Sequence, residues 1–558
     1  MAGIVAQPWM KTVACGFHAG QCGEDQPEGR DALRRRDAFA RMRAHKKNHA
    51  HEPLFFKSNA QVHSLFTGDP FLMRKAKIVC TIGPASAEPS ILEPLIIGGM
   101  DVARLNFSHG THASHRAAIV SIRAAAERLQ RPVAIMQDLQ GPRIRVGALD
   151  EAGVSVVAEQ RVRLVGGMRR SGGQIGSQTV TPSKLVEILV AYPQLAQDVR
   201  PGARVLIDDG LIELLAIAVS GGAVECRVKT GGRIMSHKGI NLPGTTVSAP
   251  TLTEKDRNDI RFGVAEGVDY MALSFVRGPE DVQAARHVVA ECGGDQPIIA
   301  KIERAEAIAA LDALLEEADG VMIARGDLGV EMGPEIVPIL QKRIIAQANQ
   351  HRRLVITATQ MLESMTQRPS PTRAEASDVA NAIFDGTDAV MLSAETARGQ
   401  YPVESVQVMD RIVRVAEGEG MLQRIGSIER SAGHTRNVIS EAMCVAAASA
   451  AATTDAAVIA TFSESGATAR LLSKQRPVAP IVAFTPHESV RRRMALYWGV
   501  LPRLMARVQD SGHRVHAVEQ RLLEEALAGP NDCVVLLSGA VMGQLGGTNV
   551  MKLHRIVS

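Results

Sequence analysis

From Lys75 onward, short runs of β-branched and aliphatic residues alternate with longer stretches of helical period, and this rhythm constrains the fold more than any other feature. Eight runs read as strands: Lys77 to Thr81, Val102 to Asn106, Val133 to Asp138, Tyr270 to Phe275, Ile298 to Glu303, Gly320 to Ala324, Leu354 to Thr357 and Ala389 to Ser393. Most successive starts lie about 20 to 35 residues apart, the length that a strand, a crossover helix and two loops require. Eight such units fit a closed β/α barrel, with an open doubly wound sheet as the runner-up.

One gap is too long for this scheme. Well over a hundred residues separate the third run from the fourth, rich in Gly and in alternating valines such as Arg161-Val162-Arg163-Leu164-Val165 and Val224-Glu225-Cys226-Arg227-Val228. Alternation of that kind predicts a small all-β domain inserted into a barrel loop. After about Glu417 a new pattern begins, with a helix (Asn437 to Ala451) and strands (Ala457 to Thr461, Ile481 to Phe484) that suit an open-sheet α/β domain. The expected fold is therefore α/β: a (β/α)8 TIM barrel with an inserted all-β lid domain and a C-terminal open-sheet α/β domain. The expected boundaries are an N-terminal basic extension (1–72), barrel (73–146), a β-barrel lid (147–241), barrel (242–416) and a C-terminal α/β regulatory domain (417–558).

The first 72 residues carry Arg30, Arg34, Arg35, Arg36, Arg41, Arg43, Lys46 and Lys47 and no sustained apolar period. A mis-assigned start, with Met73 as the natural one, and a disordered basic arm are the two leading readings. The acids Glu24, Asp25, Glu28, Asp31 and Asp37 count against a transit peptide, and the lack of aromatic interleaving counts against an RNA-binding arm. The formal net charge of +4 does not mark the whole chain as a binder of nucleic acid or membrane. Seven scattered cysteines with no CxxC argue against a disulfide framework and a zinc site, and no apolar run is long enough to span a bilayer. A cytoplasmic protein is expected.

Lys301-Ile302-Glu303 closes the fifth run, and Ala324-Arg325-Gly326-Asp327-Leu328-Gly329 follows about two dozen residues later. Residues two apart on a strand share a face, so Lys301 and Glu303 should project together. One ammonium and two carboxylates at strand ends could hold a divalent metal and neutralise a migrating phosphoryl group. A lone Lys-x-Glu is more often a surface salt bridge. Here, however, other strands also end in polar groups: Arg104 and Asn106, Asp138 with Arg143 and Arg145 beyond it, Ser274, and Thr359. Singly, Arg104 could be a core ion-pair partner, Asp138 a turn residue and Thr359 a helix cap. Six consecutive strands ending so by chance is improbable, and the C-terminal rim is where a barrel keeps its active site.

These segments resemble the pyruvate kinase family. The match is carried by Ala103-Arg104-Leu105-Asn106-Phe107-Ser108-His109-Gly110, Asp138-Leu139-Gln140-Gly141-Pro142 and His237-Lys238-Gly239-Ile240-Asn241-Leu242-Pro243-Gly244. It continues through Lys301-Ile302-Glu303, the Arg325-Gly326-Asp327 segment, Ala358-Thr359-Gln360-Met361-Leu362-Glu363-Ser364-Met365 and Thr372-Arg373-Ala374-Glu375-Ala376-Ser377-Asp378. The resemblance implies transfer of the phosphoryl group of phosphoenolpyruvate to ADP, giving pyruvate and ATP, in a homotetramer. It implies Mg²⁺, with Mn²⁺ as a substitute, on Glu303 and Asp327, and substrate contacts from Arg104, Ser274, Lys301, Gly326, Asp327 and Thr359. Catalytic roles fall to Lys301, Arg104 and Thr359, the last beside the face where the enolate is protonated. Nucleotide contacts fall to Asn106, His109 and Arg145.

Three positions depart from the family pattern. Many members hold K⁺ on residues matching Asn106, Ser108, Asp138 and the Leu139 carbonyl, and carry Thr-Lys after the aspartate and Glu before Ile-Arg. Here Leu139, Gln140 and Arg143 stand in those places. Members with lysine at the Arg143 position work without K⁺, so a guanidinium there makes K⁺ dispensable by expectation. In the effector loop, Ser463, Ser465 and Thr468 keep hydroxyls that could hold a phosphate, whereas Glu464 should oppose a second one. A sugar monophosphate, a nucleotide, or a helix cap with no ligand are the readings there. Ala376 replaces a glycine, a change of one methyl. Another phosphoenolpyruvate-handling barrel would not need both extra domains, and a non-catalytic paralogue would be expected to lose Lys301, Glu303 or Asp327. The run Arg491-Arg492-Arg493 could be an interface or an effector patch, but a solvated helix face is the favoured reading.

Overall fold

The structure is a computed structural model that describes residues 74–167, 185–418, 437–508, 510–539 and 547–557. The N-terminal extension read from the sequence lies outside them. Strands β1 (Lys77–Thr81), β2 (Val102–Asn106) and β3 (Ala134–Asp138) open the barrel. A long excursion follows, made of β4 (Val154–Val156), β5 (Arg161–Gly166), β6 (Val186–Val190), β7 (Arg204–Ile207), β8 (Ile212–Ser220), β9 (Ala223–Thr230), β10 (Gly232–Ile234) and β11 (Ile240–Asn241). The chain then returns through β12 (Tyr270–Leu273), β13 (Ile298–Ile302), β14 (Gly320–Ala324), β15 (Leu354–Ala358) and β16 (Ala389–Leu392).

The first three and last five of these strands close into one parallel barrel, so the open-sheet alternative is excluded. Sheath helices cover the outside and side chains fill the inside, so each barrel strand is buried on both faces. Only Arg104 and Asn106 of β2 are half-exposed within the barrel strands, and they lie at its C-terminal end. Three sheath helices start in the same way. Thr111, Thr253 and Thr372 accept the N–H of Ser114, Asp256 and Glu375, whose side chains reach back to complete a capping box. Glu375 also accepts the Ser364 N–H at 2.7 Å, tying the loop after β15 to the next helix.

The excursion is built of β-strands, as its alternation predicts, with one short helix (Leu195–Asp198) among them. Six of its strands form one sheet in the order β11-β7-β8-β9-β5-β6, and β4 pairs with β10. Its inward positions, among them Val162, Leu164, Ile188, Leu214 and Val224, build a hydrophobic core separate from that of the barrel.

In the C-terminal region a helix (Val438–Thr454) precedes β17 (Val458–Phe462), β18 (Ile481–Thr485), β19 (Val500–Leu504), β20 (Cys533–Gly539) and β21 (Thr548–Arg555). The sheet order is β19-β18-β17-β20-β21, parallel except for β21 on the edge. This sheet domain docks at the N-terminal end of the barrel strands. Arg492 pairs with Asp269 at 2.9 Å, Arg493 with Asp295 at 2.5 Å, and the Tyr270 hydroxyl donates to the Arg493 carbonyl at 2.7 Å. The arginine run is therefore a docking element and not a solvated face. The helix's own period offers these arginines only Glu488, and the docking carboxylates come from barrel loops some two hundred residues away. Deeper in the same junction, Lys474 and Arg476 meet Asp388 at 2.5 and 2.8 Å, all three almost without solvent exposure. No helix among the described residues is long and apolar enough to cross a membrane.

Candidate active site

Two cations converge on one buried carboxylate at the C-terminal rim. Asp138 ends β3, and its two oxygens receive Arg104 Nε at 2.6 Å and Lys301 Nζ at 3.3 Å. Strand geometry explains the meeting, since β2 and β3 pair in parallel with Arg104 opposite Met136, two residues short of Asp138. Arg104 is further fixed by the Thr81 hydroxyl of β1 at 2.8 Å. Lys301 also reaches Glu303 at 2.8 Å and the Ser274 hydroxyl at 2.7 Å, and Ser274 donates onward to the Leu139 carbonyl at 2.7 Å. The second oxygen of Glu303 accepts the Phe275 N–H at 2.7 Å, a bond made possible by the left-handed backbone of Phe275 (φ 56°). That turn is why the fourth strand stops at Leu273, short of its predicted end.

Burial and charge oppose one another at each of these groups. Burial would raise the Asp138 carboxyl, but Lys301 and Arg104 outweigh it and hold its pKa below the usual carboxylate range. Burial would lower the Lys301 ammonium, but Asp138 and Glu303 outweigh it and raise its pKa, so it stays charged. Burial, reinforced by the nearby charge of Asp327, pushes Glu303 up. Lys301 opposes that rise without cancelling it, and Glu303 beside Asp327 makes a carboxylate pair that suits a hard divalent cation. Among the described residues no group of three or more Asp, Glu, His or Cys side chains could hold a metal. A cation on two carboxylates would take its other ligands from substrate and water, as Mg²⁺ commonly does.

Asp327 lies on the first turn of the helix Arg325–Met332, directly after β14. Beside it, the Gly326 N–H donates to the Thr359 hydroxyl at 2.9 Å, and that hydroxyl donates to the Ala358 carbonyl at 2.6 Å. Thr359 and Gln360 both have left-handed backbones (φ 69° and 53°). On the other side of the rim, Asn106 accepts the Ser108 N–H at 3.1 Å, and His109 follows on an exposed turn. Partial burial and then the cations Arg145, Arg143 and Arg104 hold the His109 imidazole below its usual pKa. His109 therefore belongs to the same cationic neighbourhood as the three arginines.

Asp208 and Asp209, to which the sequence pattern assigned no role, meet rim residues. Arg143 pairs with Asp209 of the β insertion at 3.1 Å and approaches Asp327 to 3.9 Å. Arg145 donates to the His237 carbonyl at 2.9 Å, and Lys238 pairs with Asp208 at 2.8 Å. The β insertion thus reaches the site through Asp208, Asp209 and His237. Beside these contacts lies a cleft lined by Arg143, Ile144, Asn241, Leu242, Phe275 and Arg277. Asp208 and Asp209 both carry positive φ and precede Gly210, a turn signal that could have singled them out.

The effector-loop residues lie apart, in the C-terminal sheet domain. Ser463 is buried, Ser465 is exposed, and the Thr468 hydroxyl is bonded to that of Thr548 at 2.6 Å. Glu464 does not stand as a bare charge: Arg507 and His487 meet it at 2.9 and 3.0 Å.

Residues 73–406 match the family described as pyruvate kinase, barrel domain, and residues 441–554 match pyruvate kinase, alpha/beta domain. Over 488 residues the chain is 45% identical to the pyruvate kinase of Geobacillus stearothermophilus, covering 87% of this chain and 81% of that one. It is 44% identical to pyruvate kinase 2 of Synechocystis, covering 87% and 79%, and 41% identical to the pyruvate kinase of Clostridium acetobutylicum, covering 86% and 99%. A closed parallel barrel with a β insertion and a C-terminal α/β domain, a rim of convergent cations and carboxylates, and likeness along most of the sequence lead to one conclusion: this chain belongs to the pyruvate kinase family of phosphotransferases.

Proposed function

We propose that phosphoenolpyruvate binds over Lys301, with its phosphoryl group between Lys301 and Arg104 and its carboxylate end toward Glu303, Asp327 and the Gly326 turn. The observation that carries this reading is the Lys301 ammonium, buried and charged among Ser274, Asp138 and Glu303. An ammonium already desolvated and oriented costs no reorganisation when charge spreads onto the equatorial oxygens of the phosphoryl group. Arg104, braced by Asp138 and Thr81, supplies the second fixed charge. A divalent cation on Glu303 and Asp327 would supply Lewis-acid polarisation and offset the charge of the substrate. His109, Arg145 and Asn106 lie where the nucleotide phosphates would approach, and partial burial with the neighbouring arginines lowers the pKa of the His109 imidazole. Thr359 holds its hydroxyl beside Gly326, on the side from which the enolate carbon takes its proton through a water relay.

The same reading includes independence from K⁺. Asp138, the anionic member of the monovalent-cation position, already carries two cations, and the Leu139 carbonyl already accepts a hydroxyl. Arg143 adds a permanent positive charge to the rim, next to Asp327 and not on Asp138. The reading also includes a homotetramer, supported by exposed Val550 and Leu553 on the edge strand β21. Cytoplasmic residence is supported by cysteines that are all free among the described residues.

The test is a coupled lactate dehydrogenase assay with ADP, phosphoenolpyruvate and Mg²⁺, run with and without K⁺, beside a Lys301→Met control. Turnover without K⁺ that vanishes in the control supports both parts. Activity appearing only with K⁺ keeps the site assignment and overturns the role of Arg143.

A further inference from the structure

A further arginine near the rim grips backbone carbonyls. Arg325, the first residue of its helix, is nine-tenths buried and spans the strained turn after β15. Its Nε donates to the carbonyls of Ala358 and Thr359, each at 3.2 Å, and its Nη2 donates to those of Thr359 at 2.7 Å and Gln360 at 3.4 Å. Three successive carbonyls converge on one guanidinium only because Thr359 and Gln360 adopt the left-handed conformation. That region is disfavoured for a β-branched residue such as Thr, so the surroundings must hold it. Asp378, from the helix Arg373–Phe384, fixes the guanidinium at 2.7 Å. The next residue, Gly326, holds the Thr359 hydroxyl by its N–H. Residues 325 and 326 therefore clamp one threonine by its carbonyl and its hydroxyl together.

We propose that Arg325, oriented by Asp378, is a positioning residue for proton transfer: it locks the Thr359–Gln360 turn so that the Thr359 hydroxyl serves the enolate carbon. The inference rests on the role given to Thr359 above. It predicts separation of the two half-reactions, since Arg325 touches neither the phosphoryl position nor the nucleotide position. Proton transfer can be followed alone, as exchange of pyruvate C3 hydrogens with solvent deuterium by proton NMR in the presence of Mg²⁺ and inorganic phosphate. In each event a C3 proton leaves to the relay and a deuteron returns to the same carbon.

Arg325→Met should slow exchange by about 10-fold or more while leaving KM for ADP within about 2-fold. Arg325→Lys, which keeps the charge but cannot span three carbonyls, should lie between. In a Thr359→Ala background Arg325→Met should add little, because both act through one hydroxyl. Equal losses in exchange and phosphoryl transfer, or a full additional loss in the Thr359→Ala background, would reduce Arg325 to a structural residue. If Thr359→Ala slows exchange and Arg325→Met does not, the inference fails alone. If Thr359→Ala leaves exchange unchanged, the role of Thr359 fails first and takes this inference with it. Should Arg325→Met not fold, Asp378→Asn and Arg325→Lys decide by the same criteria.

Discussion

The ammonium of Lys301 stands 2.8 Å from the carboxylate of Glu303, two residues further along at the end of a buried strand. Alternation on β13 puts both side chains on the face that lines the barrel mouth. Parallel pairing with β14 then brings Asp327, on the turn after the next strand, close enough to raise the Glu303 pKa.

Replacing Lys301 by Met removes the desolvated charge from the phosphoryl position. The expected outcome is a fall in kcat of about 10²- to 10³-fold with a smaller change in KM for phosphoenolpyruvate. Steady-state kinetics on folded variant protein, checked by circular dichroism, would measure it.

Asp138 and Glu303 should give opposite pH dependences to stability. The folded pKa of Asp138 lies below its ordinary value, so its contribution is present above about pH 4 and is lost as pH falls through the folded value. The folded pKa of Glu303 lies above its ordinary value, so its contribution is present below about pH 4 and is lost as pH rises through the folded value. A divalent cation should offset the second loss, so Mg²⁺ should raise Tm more at pH 7.5 than at pH 5. In Glu303→Gln that difference should shrink. Thermal scans over pH with and without Mg²⁺ decide the matter.

Arg143 predicts indifference to the monovalent cation. Exchange of KCl for a bulky organic chloride at equal ionic strength should change kcat by less than about 2-fold, whereas Arg143→Glu should create a dependence on K⁺. A strong activation of the unaltered protein by KCl would refute the prediction.

The junction beneath the barrel should be sensitive to loss of the buried anion Asp388. Asp388→Asn leaves Lys474 and Arg476 buried with an uncharged partner, which should cost about 3 to 5 kcal/mol. Exposed pairs such as His513 with Asp510 should be worth little by comparison. Urea unfolding of Asp388→Asn and Asp510→Asn would compare them, and similar losses in both would contradict this account.

The barrel was legible because a parallel strand buried on both faces leaves an unmistakable apolar run, and because crossover length sets the spacing between runs. Three strands have the bounds read from sequence, and the others differ by a residue or two, in one case because Phe275 turns left-handed just past the strand end. The identities of Arg104, Asp138, Ser274, Lys301, Glu303, Asp327 and Thr359 were likewise visible, since each ends or follows a strand at the rim. What sequence could not supply were the partners that only closure brings together: Arg143 with Asp209, Arg325 with three carbonyls beyond β15, and Arg492 with Asp269. Local pattern reports on a residue's own element, through periodicity, caps and turns. An ion pair or a backbone clamp between distant segments has no period, so only the tertiary structure decided which charges meet.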